Sequence, residues 1–115
     1  MAFGMSVLRR IGYVWKQLKR RKRLEMVTWV ESRRDIPTRL GARIYVVGSE
    51  TPKWVVLDCP CGCGERIDVN LMAVRRPAWK FSANDGKVTL WPSLQMPAYK
   101  CGSHFWIRKN RIVWV

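Results

Sequence analysis

The sequence is short of acid, of histidine and of long apolar runs. Eight Asp and Glu stand against 22 Lys and Arg in 115 residues, a formal net charge of +14. So unbalanced a surface favours anionic or acidic partners. No segment approaches the roughly 18–20 consecutive apolar residues of a membrane-spanning helix, which excludes an integral membrane protein of that kind. The N-terminal apolar residues are interleaved with Arg9, Arg10 and Lys16, so no export signal is read there. The expected compartment is therefore the reducing cytoplasm, where cysteines serve as metal ligands more readily than as disulfides. A redox CxxC pair is missing, and one histidine limits imidazole chemistry to a single position. The hydrophobic content of 48% and charged content of 26% argue against disorder, and the length allows one small domain.

Residues 1–25 hold eight of the basic side chains against Glu25 alone. Val7, Leu8, Ile11, Val14, Trp15 and Leu18 recur at intervals of three and four, the apolar stripe of an amphipathic helix. We expect a basic N-terminal helix over residues 1–25, packed on its own domain or offered to a partner. Beyond it the period changes. Met26–Glu31, Arg43–Val47, Trp54–Cys59, Arg66–Leu71, Trp79–Phe81, Lys87–Trp91, His104–Arg108 and Arg111–Val115 alternate and are rich in Val, Ile, Trp and Phe. Asp85-Gly86 and Lys109-Asn110 read as hairpin turns, and Pro37–Ala42 and Gly48–Pro52 as loops. The expected fold is mainly β: a small antiparallel sheet or sandwich over residues 26–115, stapled by zinc, with the one N-terminal helix.

The zinc expectation comes from Cys59-Pro60-Cys61-Gly62-Cys63-Gly64, with Cys101 far along the chain. Thiolates bind zinc at about 2.3 Å in a tetrahedron, which brings the sulfurs within about 4 Å of one another. Alternate residues on a flat strand lie about 6.7 Å apart, so the chain must bend. Pro60, Gly62 and Gly64 allow that bend. Buried free cysteines explain three in five residues poorly. The favoured ligand set is Cys59, Cys61, Cys63 and Cys101, with His104 as the competitor for one place. A closed four-thiolate site is structural and leaves His104 for other work.

In Ser103–Arg108, Phe105 and Ile107 share one strand face, and His104, Trp106 and Arg108 the other. Val88 and Leu90 mark a core face, which puts Thr89, Trp91 and then Ser93 on the open one. Ile67, Val69 and Leu71 should face inward, and Asp68 and Asn70 outward. One open face can thus combine Ser93, His104 and Asp68: a nucleophile, its base and a carboxylate to orient the base. Ser103 is the rival nucleophile. It needs a bulge at Gly102 to meet its sequence neighbour His104, because adjacent strand residues point to opposite faces. A plain turn residue (Ser93) and a polar neighbour of the metal site (Ser103) are the structural alternatives.

The segments Cys-Pro-Cys-Gly-Cys-Gly (59–64), Val-Thr-Leu-Trp-Pro-Ser-Leu (88–94), Cys-Gly-Ser-His-Phe-Trp-Ile-Arg (101–108) and Arg-Ile-Val-Trp (111–114) resemble the BubE family of bacterial ubiquitination-like operons. The resemblance covers roughly residues 54–115. One departure is Asn110, where relatives tend to have glycine. The resemblance implies zinc at the cysteines and a serine peptidase, like a deubiquitinase, acting on a bacterial ubiquitin-like protein. It draws the catalytic serine and histidine from Ser93, Ser103 and His104, and it implies E1-like and E2-like proteins of the same operon as further partners. Trp91 and Trp106 are then expected to line a slot for the substrate tail, and backbone N–H groups near Gly102 to hold the oxyanion. Two other readings stay open. One is a basic module gripping nucleic acid through phosphate contacts and stacking. The other is a non-catalytic zinc-stapled adaptor for an acidic partner.

Overall fold

The computed structural model describes residues 20–115. The stripe from Val7 to Leu18 lies outside them. Residues 20–25, assigned above to the end of the helix, are extended instead. Leu24 is buried in the core and its N–H donates to the Asn110 carbonyl, while Trp114 Nε1 donates to the Arg21 carbonyl. The basic run from Arg20 to Arg23 therefore lies along the C-terminal strand. Leu24 anchors it there, and sequence periodicity over so short a segment carries no signal of that.

Nine strands follow. β1 (Met26–Val30), β2 (Arg43–Val47), β3 (Trp54–Asp58) and β4 (Arg66–Asn70) form a four-stranded sheet in that order. β5 (Lys80–Asn84) and β6 (Lys87–Trp91) form a hairpin, and β7 (Leu94–Gln95), β8 (His104–Arg108) and β9 (Arg111–Trp114) a three-stranded sheet. All pairings are antiparallel except β1 with β2. That parallel pair departs from the expected antiparallel arrangement. It is possible because residues 31–42, with a 3₁₀ turn at Arg33–Asp35, cross back over the sheet. The crossover covers Tyr45, Val47 and Val56 with Leu40 and Ile36, so β2 and β3 are buried on both faces. Their uninterrupted apolar sequences, Ile44–Val47 and Val55–Leu57, follow from that.

The main core lies between the sheets. Ile44, Val46, Val55, Leu57 and Val69 from the first meet Val88 and Leu90 of β6, Phe105 and Ile107 of β8, and Ile112 of β9. Both hairpin turns form where expected. Asp85 and Gly86 have φ of 54° and 71°, and Lys109 and Asn110 have 49° and 63°, the positive values a two-residue hairpin turn requires. Asn110 also packs its turn onto β6, exchanging backbone and side-chain hydrogen bonds with Val88.

Candidate active site and metal centre

The cysteine run leaves β3 and turns back before β4. Gly62 and Gly64 take φ of 88° and 87°, values that L side chains rarely adopt. The Gly62 N–H donates to the Cys59 carbonyl and the Cys59 N–H to the Glu65 carbonyl, which closes the knuckle. Cys101 arrives from the loop between β7 and β8. All four sulfurs lie within 4.8 Å of one another, with Cys59 Sγ 3.4 Å from Cys61 Sγ and 3.8 Å from Cys101 Sγ. A tetrahedral thiolate site has sulfur separations of about 3.8 Å, so the donor set fits a zinc ion. His104 is not in the cluster.

Burial pushes the Cys59 thiol well above its ordinary range, and burial also raises Cys63. Such crowding is unfavourable for bare thiolates and is relieved by a cation. Cys101 differs. Burial is the largest influence and opposes its ionisation, but the polar groups of Ser103 together with the Cys63 and Cys59 thiols outweigh it and bring the thiol down to about 7. Ser103 is only 4% exposed, and its hydroxyl makes no hydrogen bond of good geometry. Its polar atoms act on the ligand sulfur, as groups behind a metal ligand commonly do.

Ser93 stands at the corner between β6 and β7, after a cis Trp91–Pro92 bond. In the β7–β8 ladder Gln95 opposes His104 and Leu94 opposes Phe105. Extending that register by one residue sets Ser93 diagonal to His104 on the same face. Ser93 Oγ lies 2.7 Å from His104 Nε2. The open-face assignment of His104, Trp106 and Arg108 agrees with their exposure, since Phe105 and Ile107 are buried between them.

Asp68 does not join this pair. It projects from β4 into an ion pair with Arg33 at 3.4 Å, so the serine, histidine and carboxylate expected on one face are split between two sheets. Alternation within a strand carried no information on which sheets share a surface. Asn70, expected outward, is buried. Its side chain accepts from the Met72 N–H and donates to the carbonyls of Met72, Arg75 and Pro77, gathering the following loop over itself. That loop delivers Trp79. The Trp79 N–H donates to the Asn70 carbonyl, and its Nε1 donates to the Ser93 carbonyl at 3.3 Å. Neither contact is encoded in strand periodicity; the only sequence hint is an asparagine closing an apolar strand ahead of a Pro-containing loop. The Gly102 N–H, expected near an oxyanion, is instead engaged with the Pro97 carbonyl at 3.1 Å.

Beside Ser93, a cleft of about 710 Å³ is lined by Ala78, Lys80, Phe81, Trp91, Pro92 and Trp106. Trp91 is 45% exposed, and Arg108 lies 4.8 Å over the Trp106 ring. No helix among the described residues is long and apolar enough to cross a membrane.

Comparison with known proteins gives one match. The family model for BubE, described as a bacterial ubiquitination-like system serine protease, matches residues 32–115. No curated protein and no solved structure matches.

Proposed function

The chain belongs to the BubE family of serine proteases from bacterial ubiquitination-like systems, and from that premise we propose that it hydrolyses the bond following the C-terminus of a bacterial ubiquitin-like protein. Such a reaction would mature a precursor, release conjugates, or both. The observation that carries this reading is the Ser93 Oγ to His104 Nε2 distance of 2.7 Å. It is a hydrogen bond between a hydroxyl and the only imidazole in the chain, beside an open aromatic cleft. Ser103 is the poorer candidate, because its hydroxyl is buried and makes no hydrogen bond to His104.

In the reaction His104 Nε2 takes the Ser93 proton as Oγ attacks the terminal carbonyl carbon. The imidazolium then gives that proton to the leaving amine, and the C–N bond breaks to leave an acyl-Ser93 ester. Water enters, loses a proton to His104 and attacks the ester. Collapse returns the proton to Ser93 Oγ and frees the carboxylate. Trp79 supports the nucleophile by fixing the Ser93 carbonyl. Trp91, Pro92 and Trp106 offer apolar walls to an extended tail. A zinc ion held by Cys59, Cys61, Cys63 and Cys101 would supply cross-linking and no open coordination position.

The test is incubation with a ubiquitin-like precursor of the same system, read by intact mass. Wild type and Ser103→Ala should release the extension, while Ser93→Ala and His104→Ala should not. Cleavage by Ser93→Ala would reject that nucleophile. Failure of a fluorophosphonate probe to label wild type would favour an adaptor without chemistry.

A further inference from the structure

A second cleft, of about 620 Å³, adjoins the aromatic one, and Trp91 lines both. Its charged lining is Lys87, Arg108, Lys109 and Arg111, set among Ser82, Thr89 and Val113. Among the described residues no ion pair engages these four cations. From residue 80 onward the only acid is Asp85. The two ion pairs among the described residues, Arg33–Asp68 and Lys100–Glu65, use none of the four. Residues 1–19 contain no Asp or Glu, so the N-terminal segment brings no carboxylate to them. Like charges held together without counterions disfavour the folded state unless an anionic partner is bound in return.

The position of the cleft selects the partner. A tail lying across Trp106 and Pro92, with its scissile bond at Ser93, leads past Trp91 to the cations. The folded body attached to that tail must rest there. A nucleic-acid groove would need further stacking surfaces along its length. Here the uncharged lining is mainly small side chains, and Trp91 is shared with the aromatic cleft. Resting on the hydrolase reading above, we infer that Lys87, Arg108, Lys109 and Arg111 dock an acidic patch on the folded body of the ubiquitin-like substrate. The aromatic cleft reads the tail, and the basic cleft reads the body.

The experiment compares two substrates: a ubiquitin-like protein of the same system with a short C-terminal extension, and a peptide of its tail with the same extension. The variants are Lys87→Glu/Arg111→Glu and the milder Lys87→Gln/Arg111→Gln. The Glu pair should raise KM for the folded substrate about tenfold and the Gln pair less, with kcat retained. Cleavage of the tail peptide should change less than about twofold. Added salt should shrink the parent's preference for the folded substrate. An unchanged KM for the folded substrate would overturn the inference, as would equal losses on both substrates. Tight oligonucleotide binding that blocks cleavage by the parent and is lost in the Gln pair would overturn it in favour of nucleic acid. Zinc content and thermal unfolding check each variant, and the Gln pair carries the test if the Glu pair does not fold. Ser93→Ala separates the two failures. If it still cleaves both substrates, the hydrolase reading falls. If it is inactive while the charge variants match wild type, only the docking surface falls.

Discussion

The two halves of the described chain carry the same excess of basic charge and place it differently. Residues 20–79, which contain the four-stranded sheet, hold seven of the eight acidic residues beside twelve basic ones. Asp68 there pairs with Arg33, Asp58 accepts from the Leu40 N–H, and Arg66 donates to the Pro37 and Thr38 carbonyls. These contacts tie the crossover down. Residues 80–115 hold six basic residues and one acid, and four of those cations, Lys87, Arg108, Lys109 and Arg111, line one open cleft. The first half ties part of its charge into the crossover and serves as scaffold. The second gathers cations and the exposed Trp91 at its clefts, next to the half-buried Ser93–His104 pair. The cysteine cluster joins them, with three sulfurs from the first half and one from the second.

The largest test of that division is to break the joint. Structural zinc sites contribute on the order of 10 kcal/mol to folding. Chelation, or Cys61→Ser, should therefore abolish the cooperative near-ultraviolet circular dichroism transition, and metal analysis of wild type should find one zinc per chain. A metal-free protein melting at the same temperature would show that the core alone joins the halves. Next in size, Ser93→Ala and His104→Ala should each lower kcat/KM about a thousandfold or more while leaving the melting temperature nearly unchanged. A loss of stability on the same scale would mark the pair as structural.

Core truncations ask whether the halves unfold together. Phe105 is fully buried and packs tilted against Trp114 with ring centroids 5.4 Å apart, and Leu57 is fully buried in the first sheet. Phe105→Ala should cost about 3–5 kcal/mol and Leu57→Ala about 2–5 kcal/mol in denaturant titrations. Both should shift one shared transition, and two separate transitions would split the unit. A smaller effect is expected at Trp79, whose indole crosses from the Asn70 loop to Ser93. Trp79→Phe should cost about 1 kcal/mol of transition-state stabilisation, roughly fivefold in kcat, with KM and zinc content retained. Asp68→Asn should change cleavage by less than about twofold, because its partner is Arg33. A large loss would restore it to the catalytic machinery.

Local chemistry made much of this readable. Alternation or short apolar runs located eight of the nine strands, because most bury one face and β2 and β3 bury both. The short β7 escaped, since two residues following a proline have no period to read. Asp-Gly and Lys-Asn announced their turns through the residues that tolerate positive φ. The parallel β1–β2 pair was not legible, because the same residues would serve either direction of pairing.

The sequence by itself picked out the four-cysteine cluster, since cysteines spaced by glycine and proline have few other low-energy uses. It also marked most of the strand faces. Only the tertiary structure set Ser93 rather than Ser103 against His104, paired Asp68 with Arg33, buried Asn70 and set the basic cleft beside the aromatic one. Each of those outcomes depends on how separate sheets stack and where their loops cross. Long-range packing in the common core fixes that arrangement, and no window of neighbouring residues contains it.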